Sequence, residues 1–116
     1  MFGLTKKVES KDINEAYQEF LDNPDIILLN ADEYRDFETL HIVDSQNLPL
    51  RVINSDAKSL LDQDAIYYVY AILEGTAFEA CRRLARLGFT AYNLGSQQYF
   101  KGPEEGLKKK NRKRRK

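Results

Sequence analysis

Residues 66–88 read IYYVYAILEGTAFEACRRLARLG, and their reading decides the fold. Ile66–Ala71 is aromatic and β-branched, the clearest strand in the chain. Thr76-Ala77-Phe78-Glu79 follows as a capping box, in which a hydroxyl and an acid three residues on satisfy the first free N–H groups of a helix. The helix so opened carries Ala77, Ala80, Cys81, Leu84 and Leu87 on one face and leaves Arg82, Arg83 and Arg86 outside it. Gly88 stands where a left-handed residue closes such a helix. The stretch is therefore strand, short loop, helix, stop.

The same alternation runs outward in both directions. Asp12 with Glu15 starts a helix whose predicted apolar face is Ile13, Ala16, Phe20 and Leu21, and Asn23-Pro24-Asp25 ends it. Ile26–Leu29 is a continuous apolar run suited to a strand covered on both faces. Asp32–Thr39 reads as a short polar helix, Asn47-Leu48 as a short strand stopped by Pro49, and Ser55 as the cap of a helix to about Leu61. Phe89–Leu94 reads as the last strand and Ser96–Phe100 as a final helical turn. Strands alternating with helices predict a parallel α/β sheet with helices on both faces.

Charge divides the chain in two. The 18 Lys and Arg balance 18 Asp and Glu, but residues 108–116, KKKNRKRRK, hold 8 of the positive charges. Residues 1–107 keep 10 basic and 18 acidic side chains, a net charge of −8. The change falls at Gly102-Pro103-Glu104-Glu105-Gly106, so the expected organisation is a domain over 1–102 and a disordered basic tail over 103–116. Lys108, Lys109, Lys110, Arg112, Lys113, Arg114, Arg115 and Lys116 form a candidate polyanion contact, with RNA, an unidentified protein or the acidic body itself as partner. No apolar run approaches the length of a membrane span, and MFGLTKKVES lacks the apolar core of a signal peptide, so the expected compartment is the cytoplasm. A single cysteine, Cys81, and a single histidine, His41, leave no structural zinc site, and no cofactor is expected.

From about Ile13 to Gly102 the residues resemble the rhodanese-like domain family. The resemblance lies in three blocks: LLNADEYRDFETLHIVDSQNLPL from Leu28, YVYAILEGTAFEACRRL from Tyr68, and LGFTAYNLGSQQYFKG from Leu87. It implies a central, mostly parallel five-stranded sheet with helices on both faces. It also implies sulfur transfer: in the family the central strand ends in a cysteine that carries a persulfide, encircled by a six-residue loop of backbone N–H groups. Ala71 stands at the cysteine position, and the loop is Ile72-Leu73-Glu74-Gly75-Thr76-Ala77. The family's loop glycine, arginine and serine fall on Glu74, Thr76 and Ala77, and its aspartate and arginine after the earlier strand fall on Asn30 and Asp32. Leu40 replaces the glycine before His41.

An alanine cannot act as nucleophile. The loop opens a helix N-terminus, which attracts anions, but Glu74 and a Glu79 reaching back to the Thr76 N–H would compete for it. The expectation is a catalytically inactive binding or regulatory module whose recognition surface is the loop Ala71–Thr76. The alternative is an enzyme: a sulfurtransferase using a relocated Cys81, or a repurposed phosphatase-like loop. Cys81 reads first as a small buried hydrophobe and His41 as a structural histidine. Tyr67, Tyr68 and Tyr70 read as core aromatics ahead of base-stacking ones.

Overall fold

The computed structural model describes residues 7–108. In chain order the elements are β1 (Glu9–Ser10), α1 (Ile13–Asp22), β2 (Ile26–Asn30), α2 (Tyr34–Thr39), β3 (His41–Ile42), β4 (Gln46–Asn47), α3 (Ile53–Leu60), β5 (Ile66–Ala71), α4 (Glu74–Arg86), β6 (Thr90–Ser96) and β7 (Glu104–Glu105). Five strands pair in parallel in the order β1-β6-β5-β2-β4, and β3 pairs with β7 in a separate antiparallel ribbon. Among the described residues no helix is long and apolar enough to cross a membrane.

The central position of β5 follows from its composition, since both of its faces are buried. Tyr67, Val69 and Ala71 point to the side covered by α3 and α4, where they join Leu29, Ile53, Ala57, Ala80, Cys81, Leu84 and Phe89. Tyr68 and Tyr70 point the other way and pack with Ile13, Ala16 and Tyr17 of α1, Leu28, Ile42 and Phe100. Helices therefore lie on both faces, as the alternation predicts. The three tyrosine hydroxyls are each satisfied: Tyr67 donates to the Asp62 carbonyl at 2.9 Å, Tyr68 to Glu19 at 2.5 Å, and Tyr70 accepts from the Ile42 N–H at 3.0 Å and meets Ser45 Oγ at 2.8 Å. Burial pushes the Tyr70 phenol up to about 12.

Several boundaries move. In α1 the buried face is Ile13, Ala16 and Tyr17, while Leu21 is 53% exposed, because a helix of ten residues turns Leu21 past the sheet. Asp12 caps that helix through the N–H groups of Asn14 and Glu15. Helix α3 starts at Ile53, ahead of the expected Ser55 cap, because a tight turn at Leu50–Val52 feeds directly into it; Ser55 Oγ instead donates back to the Val52 carbonyl. Gly88 has φ +97°, the left-handed closing residue that its position in the sequence predicts.

The body also runs past Gly102. Glu104 and Glu105 pair with Ile42 and His41, and the Val43 N–H donates to the Pro103 carbonyl at 3.1 Å. Gly106, at φ +141°, passes so close to α2 that a Cβ there would fall 2.6 Å from the Thr39 carbonyl oxygen. Composition alone places this segment with the tail, because short charged strands carry no apolar signature. Lys109–Lys116 lie outside the described residues.

Tyr70 links the central strand to β3, so Tyr70→Phe should leave the Ile42 N–H without its acceptor. The expected loss is about 1–3 kcal/mol of unfolding free energy, read by urea denaturation; an unchanged midpoint and slope would count against the link.

Candidate functional site at the end of the central strand

Ala71 ends β5 fully buried, and the residue after it is held from both sides. The Ile72 N–H donates to the Asp32 carboxylate at 3.0 and 3.2 Å. The Ile72 carbonyl accepts from Ser96 Oγ at 2.7 Å. Ser96 is in position because the β5–β6 register slips by one residue between Val69 and Tyr70, which brings Ser96 opposite Ala71.

Asp32 is fixed in turn. Asn30, fully buried, donates through Nδ2 to Asp32 Oδ2 at 3.0 Å and accepts from the Asp32 N–H at 2.9 Å. Asn47 of β4 donates to Asn30 Oδ1 at 3.0 Å and to the Asp32 carbonyl at 2.8 Å. Burial raises the Asp32 carboxyl above the usual carboxylate range, against the opposing pull of the Ile72 N–H and Asn30, with nearby Asp36 adding to the rise. The family resemblance sets Asp32 at a position where that family has an arginine; its contact with Ile72 crosses 40 positions and has no local signal.

The expected six-residue loop is reduced to Ile72 and Leu73. Helix α4 begins at Glu74, and the Thr76 and Ala77 N–H groups both donate to the Leu73 carbonyl, at 3.1 and 3.3 Å. Thr76 therefore lies inside the first turn and caps nothing. Glu79 does not reach back to it but pairs with Arg82 at 3.4 Å and Arg83 at 3.1 Å, neighbours one turn on. The acid at the helix start is Glu74, whose carboxylate lies over the end of β6: a Cβ on Gly95 would be 3.6 Å from Glu74 Oε2.

Two cations come near, one from the helix α4 and one from the turn ahead of α3. Arg51 and Arg83 line a groove of about 520 Å³ with Asp32, Glu33, Asp36 and Thr76. Both are engaged, Arg51 by Glu33 at 3.0 Å and Arg83 by Glu79 and the Leu50 carbonyl. A second groove opens beyond Ile72, which lines both. Between them Ile72 and Leu73 stand 47% and 66% exposed, an apolar ridge in acidic surroundings.

The remaining candidates lie elsewhere. Cys81 is fully buried in the core between the sheet and α4, and burial pushes its thiol up to about 12. The His41 ring stacks on Phe37 at 4.0 Å, Nδ1 donates to the Phe37 carbonyl at 2.7 Å, and Nε2 lies 3.3 Å from Glu105. Ile42 beside it belongs to the core on the sheet face opposite Cys81. The two groups are not brought together. Of the basic candidates only Lys108 lies among the described residues.

No family model matches the chain, and no curated protein matches it. Solved structures do. The BH2092 protein of Bacillus halodurans superposes with a TM-score of 0.77 at 21% identity, over 86% of this chain and 78% of that one. A rhodanese-like domain from Anabaena gives 0.76 at 20% identity, over 89% and 83%. A rhodanese with anions from E. coli gives 0.62 at 17% identity, over 71% and 99%. The fold is rhodanese-like α/β, as the sequence resemblance implies.

Asp32→Asn removes a buried charge and keeps an acceptor for Ile72. A carboxyl raised in the folded state binds its proton more tightly there, so its contribution to stability is complete below the unfolded pKa and is lost as pH rises through the folded one. The variant should gain on the parent at about pH 7, and the gap should shrink towards about pH 4.5. Urea unfolding at both values checks this; a gap that widens on acidification would contradict the burial of the charge.

Proposed function

We propose that this chain is a non-catalytic rhodanese-like module that binds a partner, or regulates one, through the end of the sheet around Ile72 and Leu73. The observation that carries the reading is the Ile72 N–H closed onto the Asp32 carboxylate at the end of a strand that finishes in Ala71. Sulfur transfer needs a thiolate to attack the outer sulfur of thiosulfate, forming a persulfide and releasing sulfite. The Ala71 methyl cannot do this. The first N–H that would face a bound anion already holds one, supplied by the chain itself. An incoming dianion would also meet Asp36 and Glu74, while the nearby guanidiniums of Arg51 and Arg83 are engaged.

The competing reading, a sulfurtransferase relocated to Cys81, has little chemical support. A thiol at about 12 is ionised to the order of 10⁻⁵ at neutral pH, and the core closes it off. The basic residues Lys108–Lys116 supply the second half of the proposal, a contact with RNA or another polyanion.

A thiosulfate–cyanide assay on the full chain should give no turnover above a Cys81→Ser control, and Ala71→Cys alone should not create any, because Asp32 and Glu74 remain. Turnover that vanishes in the control, or robust activity from the single alanine change, would overturn the reading.

Binding to single-stranded RNA is expected to fall steeply with salt, with a log–log slope of roughly −0.7 per phosphate neutralised. Replacing Arg112, Lys113, Arg114 and Arg115 with Gln should flatten that slope. Equal and salt-insensitive binding in both chains would remove the polyanion contact.

A further inference from the structure

His41 sits where the ribbon of β3 and β7 meets the end of α2, and both nitrogens of its ring face oxygen. Nδ1 lies 2.7 Å from the Phe37 carbonyl, and Nε2 lies 3.3 Å from Glu105 Oε2. Phe37 also holds the ring by stacking, with centroids 4.0 Å apart and planes 15° from parallel. A carbonyl oxygen can only accept, so Nδ1 carries a proton. A neutral imidazole has one N–H. With that one spent on Phe37, Nε2 would turn a lone pair towards a carboxylate. The pair therefore needs one proton more than a neutral ring and a carboxylate bring. With that proton on the ring, an imidazolium donates to a carbonyl on one side and to a carboxylate on the other.

The surroundings are acidic. Glu105 faces the ring from β7, and Asp44 lies in the turn after β3. Burial first, and then the Asp44 and Glu105 carboxylates, push up the Tyr17 phenol of α1. On α2, Arg35, Asp36 and Glu38 flank Phe37, and none of them pairs with His41 or Glu105. Glu104 turns instead to Gln97, at 3.1 Å. Among the described residues His41 is the only ion-pair partner of Glu105. Strand β7 has few other holds: two residues pair with β3, the Val43 N–H donates to the Pro103 carbonyl, and Gly106 passes close to Thr39. Glu104 of the same strand walls the groove of about 470 Å³ that opens beside Ile72.

We propose that His41 and Glu105 form an acid-closed clasp on β7. The protonated ring holds the strand against β3, and loss of that proton loosens the strand and, with it, the Glu104 wall of the groove beside Ile72. The proton binds the closed ribbon better than the open one, so the clasp is complete on the acid side and is lost as pH rises through the range, about 5 to 8, in which a histidine changes charge. Its effect is local and modest, because the Glu105 side chain is 56% exposed and an exposed pair is screened by water and salt. A two-residue strand at the end of the body needs no more than that to change how often it opens. The clasp regulates the surface proposed for partner binding and rests on that reading only for this role.

The test follows amide exchange and the His41 ring by NMR in the full chain. Between about pH 5.5 and about pH 7.5 the protection factor of the Val43 amide should fall roughly two- to fivefold, while amides of β5 keep theirs. Glu105→Gln should remove that pH dependence and move the ring titration to lower pH by a matching factor, as linkage requires. Glu104→Gln changes the neighbouring carboxylate and should keep the pH dependence of Val43. Three results would overturn the clasp: Val43 protection indifferent to pH, a fall shared equally by β5, or a pH dependence that survives Glu105→Gln. Neither variant touches Ala71, Asp32 or Cys81, so sulfurtransferase turnover would overturn the module reading independently of this result.

Discussion

The hydrogen bond from the Ile72 N–H to Asp32 organises one whole end of this molecule. A backbone N–H at the end of a buried strand must find an acceptor, and here the acceptor is a charged one brought across from the end of β2. Asp32 can serve only because Asn30 and Asn47 hold it, and Asn47 can hold it only because β4 lies against β2. With its N–H bound on one side and its carbonyl bound by Ser96 on the other, Ile72 has no freedom to bow outward. The chain then has two residues, not six, before the helix starts, and a helix that starts at Glu74 draws the Thr76 and Ala77 N–H groups into its own first turn. The short connection into α4 and the clamp on Ile72 are thus one arrangement.

The strand–helix order, the central place of β5 and the two-faced core were legible in the sequence, because β-branched and aromatic runs and helical spacing are local signals. So was the Asp12 cap. The start of α4 was not: Thr76 and Glu79 make a good capping box by spacing, yet the helix starts nearly one turn upstream of it, capped at Leu73, once Ile72 is tied down, and the Arg82 and Arg83 side chains outcompete the backbone for Glu79. The same limit applies to Asp32. Its residue type announced a reversed charge at a family arginine position; its partner, 40 residues on, came only with the fold.

Electrostatics at this end is nearly self-contained. Asp32 and Asp36 lie beside Ile72 and Glu74 lies over Gly95, while Arg51 and Arg83 are committed to Glu33, Glu79 and the Leu50 carbonyl. The exposed part of the surface is apolar, Ile72 and Leu73, with acid on its flanks. Such a surface presents apolar area rimmed by negative charge.

The ribbon of β3 and β7 has a consequence for how the molecule is assembled. His41 meets Glu105 across 64 positions, the longest-range strand pairing in the fold after that of β1 with β6. All five strands of the parallel sheet are complete once Ser96 has been made, yet β3 has no ladder partner until residues 104 and 105 follow. During synthesis from the N-terminus, the Ile42 amide can reach Tyr70 early, while the open edge of β3 waits for the last few residues of the body. A nascent chain that has emerged only as far as Pro103 would hold a nearly finished core with one unsealed edge.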